Sequence, residues 1–265
     1  MLSLAIVLGV LFVIERLYPG RTQPEVRGWW FRAVALNLAI IPVYFAVEYV
    51  DPWFRQHRIS TLLDALPAPV SGLIGFVVFQ FFHYWWHRAR HQSDFLWRWV
   101  HQVHHSPQRL EVLTASYTHP FDAIAYLFMM ALVTLGLLGL SLGGAQWAAF
   151  FDGVYTYFIH SNIRTPYWIG YFVQRPEMHR IHHQHNLHRY NYALPIWDML
   201  FGTHRNPLPG EKVDCGFDPE KEASLGLMLM GRDVHLMPEL AGNAGSNAGN
   251  LPPPPQGGAS TPGHS

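Results

Sequence analysis

The chain has 265 residues and no formal net charge at pH 7, with 49% hydrophobic, 15% aromatic and only 14% charged residues. That balance gives no electrostatic ground for a nucleic-acid partner, and the single cysteine, Cys215, excludes an internal disulfide framework and a Cys-based zinc site. The few charges are unevenly spread and leave apolar runs that a water-soluble domain would have to bury on every side, so a membrane protein is the simpler reading. Sixteen Arg against two Lys, with abundant Ala, Gly and Pro, fit a GC-rich bacterial gene.

Residues 2–14 are apolar but shorter than the roughly 20 residues that a perpendicular span needs. They lack a basic leader and a small-residue cleavage site, and so read as an uncleaved first membrane helix extending toward Tyr18. A second span is predicted over 32–50, with Glu48 near its far end, and a third over 70–87. Between them lies a polar, then amphipathic connection punctuated by Pro52, Pro67 and Pro69. The run 123–140 is the clearest span, and it is expected to turn at 141–144 into a last span over 145–160, making a hairpin with almost no loop.

If the first helix starts outside, only Arg55 and Arg58 of the eighteen basic residues fall on the outer side. The positive-inside rule then puts 15–32, 88–119 and everything after 160 on the cytosolic face of what reads as a bacterial inner membrane. The expected fold is all-α: a multi-pass membrane helical bundle of about five spans with a cytosolic helical cap. The expected organisation is a membrane-embedded catalytic domain over 1–205, a cytosolic C-terminal extension over 206–237 and a tail over 238–265. That tail is rich in Gly, Asn, Ser and Pro and has too little apolar content to fold.

The histidines carry the chemistry. His87 and His91 are four apart, so on a helix they share a face. His101, His104 and His105 stand at i, i+3 and i+4, and His179, His182 and His183 repeat that spacing. One cation takes four to six ligands, so eight convergent imidazoles point to two metals close together. His160 closes the last span at the same level and is a candidate ninth ligand. His83, one turn before His87, is a ligand, a partner of a ligand or a wall of a substrate channel. His119 precedes Pro120 at a helix start and reads as a cap or a partner of a ligand. His185 and His188 lie in a polar loop, whereas His57, His204, His235 and His264 have no partners at useful spacing. Asp152 is an ionisable residue inside a span and hence a functional candidate, either orienting a histidine or anchoring a substrate hydroxyl.

The pattern excludes a His-Glu-x-x-His protease and a Glu-x-x-His di-metal bundle. An all-imidazole site suits iron, zinc or copper, and it lies at a lipid interface beside aromatic-rich spans. Iron with dioxygen attacks unactivated C–H bonds, which is what a long-chain lipid offers. Two other readings stay open: a non-catalytic or transport-type metal-binding membrane protein, and a zinc-dependent lipid hydrolase.

The series His87-x3-His91, His101-x2-His104-His105, His160 and His179-x2-His182-His183 is followed by Asn191-Tyr192-Ala193-Leu194-Pro195-Ile196-Trp197-Asp198-Met199-Leu200-Phe201-Gly202-Thr203. Over roughly 70–205 this resembles the fatty acid hydroxylase / sterol desaturase superfamily, as do Arg88 and Ser106-Pro107. Ala193, where a Gly is common, and His188, in a loop that is often acidic, depart from the pattern without touching a ligand position. The resemblance implies an integral-membrane non-haem di-iron oxidoreductase that hydroxylates or desaturates a lipid with dioxygen. The lipid is a sterol or hopanoid, a fatty acyl chain, a carotenoid or an ether lipid. It also implies two iron ions, replaceable by zinc on purification, held by the eight clustered histidines and His160. His104, His182 and Asp152 are expected to be catalytic, and Trp197, Asp198, Phe201 and Gly202 structural. With no haem, flavin or iron–sulfur motif in the chain, electrons come from a separate ferredoxin or cytochrome-type donor.

Overall fold

The computed structural model describes residues 2–47, 49–185 and 187–237; Glu48 and the tail 238–265 lie outside the described residues. In chain order the helices are α1 (Leu2–Leu17), α2 (Trp29–Ala39), α3 (Ile41–Val47), α4 (Asp51–Gln56), α5 (Ala68–Gln92), α6 (Asp94–Leu96) and α7 (Gln102–His105). They continue as α8 (Pro120–Ala131), α9 (Leu142–His160), α10 (Pro176–His182), α11 (Pro195–Leu200), α12 (Pro219–Ala223) and α13 (Leu225–Leu229). Wider π-type turns at Trp97–His101 and Leu132–Leu137 lead into α7 and prolong α8. No strand forms among the described residues; Gln184 and Cys215 make an isolated antiparallel bridge.

Helix forms at all five hydrophobic runs, and three stretches are long and apolar enough to cross a membrane: Trp29–Ala46, Ala68–Gln92 and Pro120–Leu137. α1 has only 16 residues, and α9 carries Gln146, Asp152 and His160 among its apolar positions. The distribution of polarity is inverted relative to a water-soluble bundle. Ile6, Val10, Phe31, Leu38, Leu73 and Phe128 are exposed, while Glu15, Gln80, His87, Arg90, Asp122, Asp152 and His160 are buried. An apolar exterior around a polar interior is what a hydrocarbon solvent selects, because ionisable groups in a bilayer turn toward the bundle.

Element boundaries differ from expectation where backbone chemistry intervenes. The second run begins earlier, at Trp29, and breaks at Ile40, because Pro42 has no N–H and its ring obstructs the carbonyl four residues back. The hairpin turn falls at 138–141 rather than at 141–144. Gly139 adopts φ 60°, and a Cβ there would lie 1.6 Å from the Ser60 carbonyl oxygen, so only glycine fits this turn. Ser141 then caps α9, its Oγ accepting from the Gly144 N–H at 3.1 Å, which draws Leu142–Gly144 into the first helical turn.

α5 and α9 share the most extensive interface of the fold, and α1, α10 and the Val112–Ser116 turn pack around α9. The approach of α5 and α9 depends on Gly72, whose Cβ would stand 2.4 Å from that of Trp147 and 2.9 Å from the Gly144 carbonyl oxygen. Both helices run unbroken to the same end of the bundle, α5 delivering His87 and His91 and α9 delivering His160.

Candidate metal centre

α5 continues past the predicted end of its span to Gln92, so His83, His87 and His91 stand on one helix at successive turns. Ser93 ends it and caps α6, its Oγ accepting from the Leu96 N–H at 3.4 Å. The π-type turn that follows swings His101 and α7 back over α5, and α10 brings His179, His182 and His183 from the opposite side.

The nine candidate histidines meet in two groups. His87, His91, His101, His105 and His182 form one; His104, His160, His179 and His183 form the other, and within each group the ring nitrogens lie within 4.8 Å of one another. All but the half-buried His91 are buried. Each His-x-x-His-His segment therefore divides between the groups: its first and last members go to one, its middle member to the other. On a helix, residues i+3 and i+4 are about 100° apart and straddle residue i, so the two cannot aim at the same point. The spacing predicts two metals without saying how the histidines divide between them; the structure splits each three-histidine segment across both groups. The rings of His105 and His183 stack at 4.3 Å where the groups adjoin.

The hydrogen bonds of the outward ring nitrogens fix where the protons sit. Nδ1 of His87 donates to the Tyr192 carbonyl at 2.7 Å, that of His182 to Tyr190 at 2.8 Å, that of His160 to Thr156 at 2.7 Å and that of His104 to Tyr117 at 3.3 Å. A carbonyl only accepts, so these rings carry the proton on Nδ1 and turn a bare Nε2 inward. His101 Nδ1 makes the same kind of bond, at 3.2 Å, to the Asp122 carboxylate, which also receives Arg90 at 2.6 Å and Thr118 at 3.0 Å. At His179 a Gln174 amide nitrogen faces Nδ1 at 3.2 Å, and Nδ1 of His105 and His183 is buried with no hydrogen-bond partner among the described residues.

As a result, Nε2 of His87 faces Nε2 of His101 at 3.0 Å, and Nε2 of His160 faces that of His104 at 3.2 Å. Each of these pairs sets lone pair against lone pair at hydrogen-bond distance, an arrangement a shared cation relieves. Burial works in the same direction. It pushes the pKa of His101, His104, His105, His179 and His183 well below 6.5, reinforced by neighbouring imidazoles, and takes His182 down to about 3 despite its bond to Tyr190. Neutral imidazoles held in one tautomer by carbonyls and a carboxylate are a donor set that fits borderline metals such as iron, zinc or copper.

The Asn191–Thr203 segment makes this orientation possible. Asn191 takes the left-handed conformation (φ 57°), which side-chain bonds from its Nδ2 to Met178 and Arg205 carbonyls hold in place, and it presents the flanking Tyr190 and Tyr192 carbonyls to His182 and His87. Asp198 pins the same loop by accepting from the Tyr192 and Ala193 N–H groups and the Thr203 hydroxyl; burial pushes its pKa up to about 7 against those bonds. Trp197 donates to the Val77 carbonyl, Phe201 packs on Tyr84 and Trp85, and Gly202 turns the chain at φ 75°.

The remaining histidines separate clearly. His83 stacks on Phe79, receives Arg90 at 3.2 Å and belongs to neither group. His119 caps α8, accepting from the Phe121 N–H. His188 is half-buried, stacked against both Trp97 and His91 and 4.6 Å from the His105 ring. Among the described residues Asp152 hydrogen-bonds to no histidine; its partner is Gln80 of α5, at 2.6 Å. Asp122, Tyr117, Thr156 and Arg90 escape the sequence reading. Asp122 was within reach, being an ionisable residue at the start of a span like Asp152, but carbonyl contacts leave no mark in residue type.

A cavity of about 1050 Å³ opens onto the histidines, with His87, His101, His104, His160 and His179 in its wall. Its lining continues along α9 to Leu142, so it follows the helix for about 27 Å.

Comparison with known proteins falls on this same core. Residues 72–203 match the fatty acid hydroxylase family model. The chain is 33% identical over 161 residues to an ornithine lipid hydroxylase of Rhizobium tropici, an alignment covering 58% of this chain and 47% of that protein. It is 28% identical over 137 residues to a very-long-chain aldehyde decarbonylase of Oryza sativa subsp. japonica, covering 50% of this chain and 53% of the relative. Over 190 residues it is 28% identical to an alkylglycerol monooxygenase of Xenopus tropicalis, covering 67% of this chain and 36% of the relative. The chain thus spans about half the length, or less, of these relatives. No solved structure matches it.

Proposed function

Since the chain belongs to the fatty acid hydroxylase family, we propose that it is an oxygenase-type enzyme, a membrane-bound non-haem di-iron oxidoreductase that hydroxylates or desaturates a lipid. In this reading His87, His91, His101, His105 and His182 hold one iron and His104, His160, His179 and His183 the other. Bound there, the metals would supply the dioxygen chemistry that an unactivated C–H bond requires. Catalysis is assigned to His104 and His182, the middle members that cross between the groups, and to Asp152, which lies beside Gln80 in the cavity wall.

The observation that carries the proposal is the pairing of bare Nε2 atoms, in two groups, at the wall of a long cavity. The chain's own contribution is orientation and exclusion. Backbone carbonyls and Asp122 keep the protons on the outward nitrogens, and the α5–α9 interface encloses the lipid and keeps water from the reacting carbon. Electrons come from a separate ferredoxin or cytochrome-type protein. The proposed topology has five spans, α1, α2–α3, α5, α8 and α9, with the histidine site on the cytosolic face of a bacterial inner membrane. Residues 1–205 form the catalytic domain, 206–237 an extension and 238–265 a tail.

The test is His104→Ala, compared with the intact protein by metal analysis and by mass spectrometry of lipid extracts from expressing cells. Loss of metal from the four-histidine group and disappearance of a product differing by one oxygen or two hydrogens are expected. Retained turnover in the variant would refute the assignment, and full activity with zinc and no iron would favour a hydrolase.

A further inference from the structure

The wall of the long cavity holds a polar pair that the metal centre does not use. Gln80 and Asp152, 1% and 2% exposed, face each other from α5 and α9 and both line the cavity. The Gln80 amide nitrogen donates to Asp152 Oδ1 at 2.6 Å, since a carboxylate only accepts. That bond turns the amide oxygen away, and Gln80 Oε1 is buried with no partner among the described residues. Among the described residues no other group bonds to Asp152. Tyr155, a donor one turn along α9, is committed to Gln174 at 2.9 Å.

A pair whose role was only to join two helices would be expected to close its own hydrogen bonds. Here a carboxylate and an amide oxygen are left with surplus acceptor capacity, beside a cavity, in apolar surroundings where an unmet acceptor is costly. What completes such a pair is a hydrogen-bond donor on the occupant of the cavity. The pair also stands at a defined distance from the histidines. Gln80 precedes His87 by seven residues on α5 and Asp152 precedes His160 by eight on α9, rises of about 10 and 12 Å respectively.

We propose that Asp152 and Gln80 form a substrate-anchoring subsite, selecting lipids that carry a hydroxyl or an N–H group and fixing which carbon reaches the histidines. It rests on the reading of the cavity as the lipid site. Asp152 is thus an anchor for the substrate's polar group, and the chain is measured from that group to the point of oxidation.

The experiment measures binding without turnover, in the purified full-length chain in nanodiscs with no reductant. The probes are three lipids with the same alkyl chain: hexadecanol, hexadecylamine and methyl hexadecyl ether, which has no donor. The intact protein is expected to bind the alcohol or the amine about tenfold or more tightly than the ether, the difference one hydrogen bond to a charged group makes. Asp152→Leu should erase that preference while metal content stays at the wild-type level, and Gln80→Leu should reduce it. Asp152→Asn separates the two sources of donor: an ammonium group loses its advantage with the charge, whereas a hydroxyl keeps an acceptor oxygen. Equal binding of all three probes by the intact protein would overturn the proposal. So would an undiminished preference in Asp152→Leu with native metal content. Because neither metal nor turnover is needed, a wild-type protein that oxygenates nothing would count against the activity and not against this subsite.

Discussion

Asp122→Asn removes one charge and almost no volume, and it touches only one of the two histidine groups. In the native protein Asp122 receives Arg90 at 2.6 Å and His101 Nδ1 at 3.2 Å, with the Arg90 and Asp122 side chains 5% and 6% exposed. Losing one partner of a pair buried this deeply costs about 3–5 kcal/mol, because the remaining guanidinium is left without a counter-charge. A drop in melting temperature on the order of 10 °C follows for a chain of this size. With His101 as the proposed ligand, loss of the acceptor that holds its ring in one tautomer should lower metal affinity about 10–100-fold. His101 belongs to the five-histidine group, so that group should release its metal first while the four-histidine group keeps its own. Metal content per chain, followed across a chelator titration alongside thermal melting, reads both effects. If Asp122→Asn held metal with wild-type stoichiometry and affinity and melted at the wild-type temperature, the carboxylate would not be orienting His101.

Three further outcomes follow from the same contacts. Asn191→Ala should destabilise the protein by about 2–4 kcal/mol, from the left-handed backbone and the lost side-chain bonds together, with Asn191→Gly intermediate because it relieves only the backbone term. Thermal melts of the two variants check that order. Gly139→Ala should not accumulate as folded protein, since its Cβ would overlap the Ser60 carbonyl; size-exclusion profiles of membrane extracts report it. Chelated protein should lose stability as pH falls below 6.5. There the unfolded chain takes up a proton that His182 refuses until about pH 3, so stability declines by about 1.4 kcal/mol per pH unit, or about 2 kcal/mol by pH 5, for this residue alone. A melting temperature unchanged between pH 7 and 5 would contradict the burial of neutral histidines.

Sequence alone determined which residues gather. Helical spacing puts His87 with His91, and the repeated i, i+3, i+4 pattern marks two further segments, because side chains four apart on a helix project alike whatever the rest of the chain does. Apolar run length likewise located the helices, since burial or lipid contact is the only stable fate for such runs, while Pro42, Gly139 and Ser141 shifted their ends through local backbone chemistry.

Tertiary structure decided the division of labour. Whether His104 joins His101 or His160, and whether His182 joins His183 or His87, depends on where α7, α9 and α10 meet, and residue spacing is silent on that. The protons were placed by Tyr117, Thr156, Tyr190 and Tyr192, whose contribution is a backbone carbonyl that every residue possesses. Asp152 illustrates both limits. Its charge inside an apolar run made it a candidate from the sequence, but its partner, Gln80, lies 72 residues away and became visible only when α5 and α9 packed together.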